Sequence, residues 1–148
     1  MKKKKAVLLT SIIALLSCDD NTYSYFPYFP VSFQLNTALD PINKNGYYQK
    51  TTIKGIEKIG FGGVLVYHTA DDKYVAYDLV CPNELTRTAL ISAPNSSGIA
   101  VCKQCTSEFQ ILMSDSQGRP LSGPALNKKR RLQQYSVTHA GNVLTVTN

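Results

Sequence analysis

Residues 101–109 read VCKQCTSEF, and two of the chain's four cysteines, Cys102 and Cys105, fall in that stretch as a C-x-x-C pair. Such a pair can supply two sulfurs to one metal ion, form a redox disulfide, or serve as part of a structural bridge. A third cysteine, Cys81, opens the upstream loop Cys81-Pro82-Asn83-Glu84. Each loop follows a strand-like run, KYVAYDLV before the first and GIAVC into the second. Two short strand-end loops, each with cysteine first, can converge four side chains on one point, as metal sites require. The fourth cysteine, Cys18, belongs to a different chemistry.

Met1 is followed by Lys2 to Lys5 and then by AVLLTSIIALLSC. A charged n-region before an apolar run of about a dozen residues is a secretory signal pattern, since a spanning helix needs roughly 20 apolar residues. The run ends in Leu15-Leu16-Ser17-Cys18, which resembles a bacterial lipoprotein lipobox. That resemblance implies a signal peptide over 1–17, a lipid on Cys18 and residence in the bacterial cell envelope, outside the cytoplasm. Asp19 and Asp20 resemble lipoprotein sorting residues without specifying a leaflet. An ordinary signal with a chance cysteine is the alternative.

The basic excess belongs mostly to that signal. Of 16 Lys and Arg against 10 Asp and Glu, four lysines leave with it, so 12 face 10 in the mature chain. This excludes charge as an argument for a nucleic-acid partner. The remaining basic run, Lys128-Lys129-Arg130-Arg131, reads as a solvated loop.

The elements that must position the sulfurs are strands and turns. Residues 18–30, CDDNTYSYFPYFP, form a tether whose prolines favour extended backbone and whose aromatics are expected to pack along the domain. Residues 31–148 suffice for one modest core. Within them VSFQL alternates, and GVLVYHT and KYVAYDLV flank Ala70-Asp71-Asp72 as a hairpin. TALIS and GIAVC flank the turn cluster 94–98, FQILM leads into Ser116-Gln117-Gly118, and LQQYSVTH and NVLTVT flank Ala140-Gly141. No segment keeps a 3.6-residue apolar period. The fold class is all-β, a small sandwich or barrel.

On these residues the chain resembles the Rieske iron–sulfur family, from about Val64 to the C-terminus. The first and second loop cysteines of that pattern fall on Cys81 and Cys102, and Phe109 matches the aromatic after the second loop. Gly118 falls in the family's turn, Leu121-Ser122-Gly123-Pro124-Ala125 matches the proline loop that covers the cluster, and the last two strands match its closing hairpin. The resemblance implies a small β domain with a two-loop cluster-binding subdomain, a [2Fe-2S] cluster, single-electron transfer and a redox partner protein.

The ligand set departs from the family. Its two histidine positions hold Asn83 and Cys105 here. A neutral amide oxygen is a poor ligand for iron beside sulfide, while a thiolate would lower the cluster potential relative to imidazole. Cys81, Cys102 and Cys105, with Asn83 as a possible fourth position, therefore leave several chemistries open. The family's cysteines share an iron, so a Cys81–Cys102 disulfide is one; closing a loop of about 20 residues, it would contribute roughly 3 kcal/mol. Zinc on three cysteines with water, Glu84 or His68 is another. A Cys102–Cys105 redox pair lacks the following helix that lowers such a pKa. An all-lysine signal also favours export of an unfolded chain over twin-arginine export of a loaded one. A metal-free, disulfide-stabilised binding or structural lipoprotein is the alternative function. His68 and His139 read as solvated strand-end residues, and no catalytic constellation is present.

Overall fold

The computed structural model describes residues 25–53 and 57–148; the expected signal over 1–17, the expected lipid site Cys18 and the first part of the expected tether lie outside them. Six strands form one curled sheet. They are Ser32–Asn36 (β1), Tyr47–Lys50 (β2), Val64–His68 (β5), Tyr74–Asp78 (β6), Gln134–Ala140 (β10) and Val143–Thr147 (β11), in the order β1-β11-β10-β6-β5-β2. Thr52–Ile53 (β3) and Glu57–Lys58 (β4) pair separately. Ile99–Val101 (β7), Glu108–Gln110 (β8) and Arg119–Ser122 (β9) make a three-stranded antiparallel sheet. The architecture is all-β, and among the described residues no helix is long and apolar enough to cross a membrane.

The run GVLVYHT reads as nearly continuous apolar sequence because β5 is covered on both faces. Leu65 and Tyr67 join Val75, Tyr77 and Leu79 in one core with Cys81, Cys102, Phe109 and Ile111. Val64 and Val66 face a second core with Phe33, Leu35, Tyr135, Leu144 and Val146. Strand alternation thus divides one strand between two cores. The sulfurs lie in the first of them, between the large sheet and the small one.

Both expected hairpins are present. β5 and β6 pair from Val64↔Asp78 to His68↔Tyr74, turning through Asp72 at φ 64°. β10 and β11 pair around Gly141 at φ 57°. Three local expectations change. TALIS contributes only isolated bridges, Val80↔Leu90 and Ile91↔Cys102, because Pro94 stops the ladder soon after it begins. The stretch after Gly123 closes into one helical turn, Pro124–Asn127 (α1), where proline's fixed φ suits the first helical position. The basic run is only partly solvated, since Arg130 donates to the carbonyls of Pro82 at 3.1 Å and Asn83 at 3.4 Å.

The tether from Tyr25 onward packs on the domain. Phe29 stacks on Phe61 at 5.2 Å, Phe26 meets the same ring edge-on at 6.3 Å, and the Arg87 guanidinium lies 4.5 Å over Phe29. Arg130 lies 5.0 Å over Tyr25. These contacts combine ring burial with cation–π attraction.

Candidate metal centre

The two sulfur loops share one backbone plan. In the first, the Leu85 N–H returns to the Cys81 carbonyl at 3.0 Å, and Leu85 is left-handed at φ 52°. In the second, the Thr106 N–H returns to the Cys102 carbonyl at 2.8 Å, and Thr106 is left-handed at φ 58°. Each loop therefore reverses its chain within five residues. The Ile91↔Cys102 bridge brings the segment beyond the first loop against the start of the second.

This geometry gathers Cys81, Cys102 and Cys105, whose sulfurs all lie within 4.8 Å of one another. Cys81 and Cys102 are buried and Cys105 is half-buried. Cys81 Sγ lies 3.5 Å from Cys105 Sγ, a contact rather than a bond, and all three thiols are free. The structure thus carries the expected convergence and not the expected Cys81–Cys102 bridge.

The thiols are electrostatically unequal. Burial pushes the Cys81 thiol far up, against the N–H groups of Asn83 and Glu84 that point at its sulfur. Burial also opposes ionisation of Cys105, but the Ser107 hydroxyl and N–H outweigh it, together with the neighbouring thiols, and lower its pKa. Ser107 Oγ lies 3.2 Å from Cys105 Sγ and accepts the Ala125 N–H at 3.0 Å. The Gly123–Ala125 segment is therefore docked directly behind Cys105. In reduced, metal-free protein Cys105 should react with iodoacetamide about tenfold faster than Cys81, read by peptide mass mapping. Equal rates would mean that Ser107 does not tune Cys105.

Asn83 sits in the first loop with its Oδ1 buried and without a hydrogen-bond partner, while its Nδ2 donates to Glu84 Oε1 at 2.7 Å. His68 is elsewhere: its ring nitrogens lie 2.8 Å from the Ile42 carbonyl and 3.0 Å from Asp72 Oδ1, and it stacks on Tyr74. His139 meets the Tyr74 ring edge-on at 5.1 Å. Neither histidine belongs to the sulfur group. Spacing alone did not mark Ser107 or Arg130 as supports of the loops, since both act through contacts between segments distant in sequence.

The residues fit a metal. Three soft donors converge, N–H groups are aimed at one sulfur, and an orphaned amide oxygen lies in the same loop. No family model and no curated protein matches the chain. Among solved structures it is similar to the oxygenase–ferredoxin complex of carbazole 1,9a-dioxygenase, at 13% identity and a TM-score of 0.49. That match covers 80% of this chain and 29% of the other, so this chain spans less than a third of its length. A likeness at that level carries no argument about chemistry.

Proposed function

We propose that this protein is a lipid-anchored domain of the bacterial cell envelope, tethered through Cys18 and built around one thiolate-bound metal ion. The observation that carries this reading is the convergence of Cys81, Cys102 and Cys105 from two loops. A tetrahedral ion with bonds of about 2.3 Å to sulfur sets its sulfurs roughly 3.8 Å apart. Ligand sulfurs on opposite irons of a two-iron cluster stand roughly 6 Å apart. The 4.8 Å limit on all three pairs, with one at 3.5 Å, fits the single ion.

Zinc is the ion this donor set favours, since it binds such sites more tightly than ferrous iron and can be taken up after export of an unfolded chain. Bound zinc would clamp the two loops and stabilise the fold. The domain is then a metal-stabilised binding module. Its own residues supply the thiolates, aim N–H groups at them and keep Cys81 and Cys102 away from water.

Electron transfer through an iron–sulfur cluster, with a redox partner protein, is the second reading. The shared plan of the two loops and the family resemblance favour it. Metal analysis and a visible spectrum of protein purified from its native membrane fraction separate the two. About one zinc per chain and no visible bands are expected. Stoichiometric iron with charge-transfer bands would establish the electron carrier instead. No metal and one free thiol among the three would leave the metal-free, disulfide-stabilised module.

A further inference from the structure

The two loops are equivalent through their first five residues, which makes the positions comparable one by one. Cys81 corresponds to Cys102, Asn83 to Gln104, Glu84 to Cys105 and Leu85 to Thr106. In the second loop the fourth position, Cys105, reaches across to the first position of the other loop, with Cys105 Sγ 3.5 Å from Cys81 Sγ. The first loop follows the same backbone plan through its own fourth position. That position is Glu84. The motif facing C-x-x-C is thus C-x-x-E, and the ligand missing from three thiolates has a carboxylate at the matching place.

Resting on the single-ion reading above, we propose that Glu84 is the fourth ligand and Asn83 its positioning residue. Asn83 is the candidate for the fourth position that the sequence offers, but it occupies the place of Gln104, an exposed residue outside the sulfur group. Its Nδ2 donates to Glu84 Oε1 at 2.7 Å, which restrains the carboxylate and leaves Oε2 available. Carboxylate oxygen is an ordinary zinc donor beside sulfur. A ligand hydrogen-bonded by a neighbouring side chain is also the usual arrangement of a metal's outer shell.

Charge gives a second reason. Three thiolates and a carboxylate around a divalent cation leave a net charge of −2, which a partly buried site must offset. Arg130 is placed to do so. Its guanidinium donates to the Pro82 and Asn83 carbonyls, within the loop that carries Glu84. The Glu84 carboxylate stands outside the 4.8 Å sulfur group, so ligation requires its side chain to turn toward the sulfurs.

Cobalt(II) and zinc titrations of the full chain, reduced and metal-free, test this with Glu84→Gln and Glu84→Cys beside the wild type. Glu84→Gln should keep the charge-transfer intensity of three thiolates but lose about 10–100-fold in zinc affinity. It should also open a coordination position, so that added azide shifts its cobalt bands while leaving those of the wild type unchanged. Glu84→Cys should raise the charge-transfer intensity from three thiolates to four. Wild-type affinity in Glu84→Gln, equal azide response in wild type and variant, or no added thiolate band in Glu84→Cys would each overturn the assignment of Glu84. Failure of the wild type to take up either ion would overturn the metal centre itself, and is distinguishable from all of these.

Discussion

Asp78→Ala should destabilise the domain by about 4 kcal/mol, a large share of the 5–15 kcal/mol that holds a domain of this size. Asp78 is fully buried at the end of β6. Its carboxylate accepts the Phe61 N–H at 2.7 Å, the Gly62 N–H at 3.1 Å, the Val80 N–H at 2.8 Å and the Tyr135 hydroxyl at 2.7 Å. Alanine would leave two buried and two half-buried donors without an acceptor and a cavity between β6 and β10. Because Val80 directly precedes Cys81, the sulfur group should loosen with it. Urea unfolding checks the magnitude, and a loss below about 1 kcal/mol would mean that water replaces the carboxylate.

The same residue sets a pH dependence. Burial raises the Asp78 pKa, and the N–H and Tyr135 donors oppose that shift without cancelling it. A carboxyl whose folded pKa is raised favours the folded state most when protonated. Its contribution is fully present below the unfolded value of about 3.9 and is lost as pH rises through the raised folded value. Asp78→Asn, which cannot titrate, should lack this slope.

Gly123→Ala is expected to cost about 3 kcal/mol and to weaken metal binding together with stability. Gly123 has φ 76° and ψ −171°, a region that side chains avoid. A Cβ there would stand 2.8 Å from Ser107 Cα, 2.9 Å from its Oγ and 3.0 Å from its N. The obstacle is mostly backbone, so the 107 segment or the 123 segment must move. Either movement breaks the Ala125 N–H to Ser107 Oγ bond and removes the support behind Cys105. Thermal unfolding reads the first effect and zinc titration of the folded variant reads the second. A variant with normal melting and normal affinity would show that the segment only borders the site.

The strands were legible wherever burial is one-sided or complete. The alternation of VSFQL, the apolar runs of β5 and β6, and the turns at Asp72 and Gly141 all follow from local residue chemistry. β2 was not legible: Tyr47–Lys50 is an edge strand of exposed and half-buried residues, and only its pairing with β5 makes it a strand. The helical turn after Gly123 was hidden for a similar reason, since four residues carry no period.

At the site, the two loops were legible as able to converge their sulfurs, but how those sulfurs would pair was not. Cys81 and Cys102 were the candidate bridge, yet all three thiols are free and Cys105 Sγ stands 3.5 Å from Cys81 Sγ. Ser107 holds Cys105 from behind and is itself held by Ala125. Such a chain of contacts joins residues 81, 105, 107 and 125, and no local pattern encodes it.

The chain enters and leaves the large sheet on neighbouring strands, with Ser32 opposite Thr147. Asn148 fastens the two ends together, donating to the Phe29 carbonyl at 2.7 Å and accepting the Val31 N–H at 3.1 Å. A fluorophore fused after Asn148 would therefore emerge beside the segment that leads back to Cys18. Gly141 lies at the far end of β11, about 17 Å away along a five-residue strand, and a Cβ there would meet nothing within 4 Å. Probes at these two addresses would bracket the domain and, on the proposed anchoring through Cys18, report its tilt against the membrane.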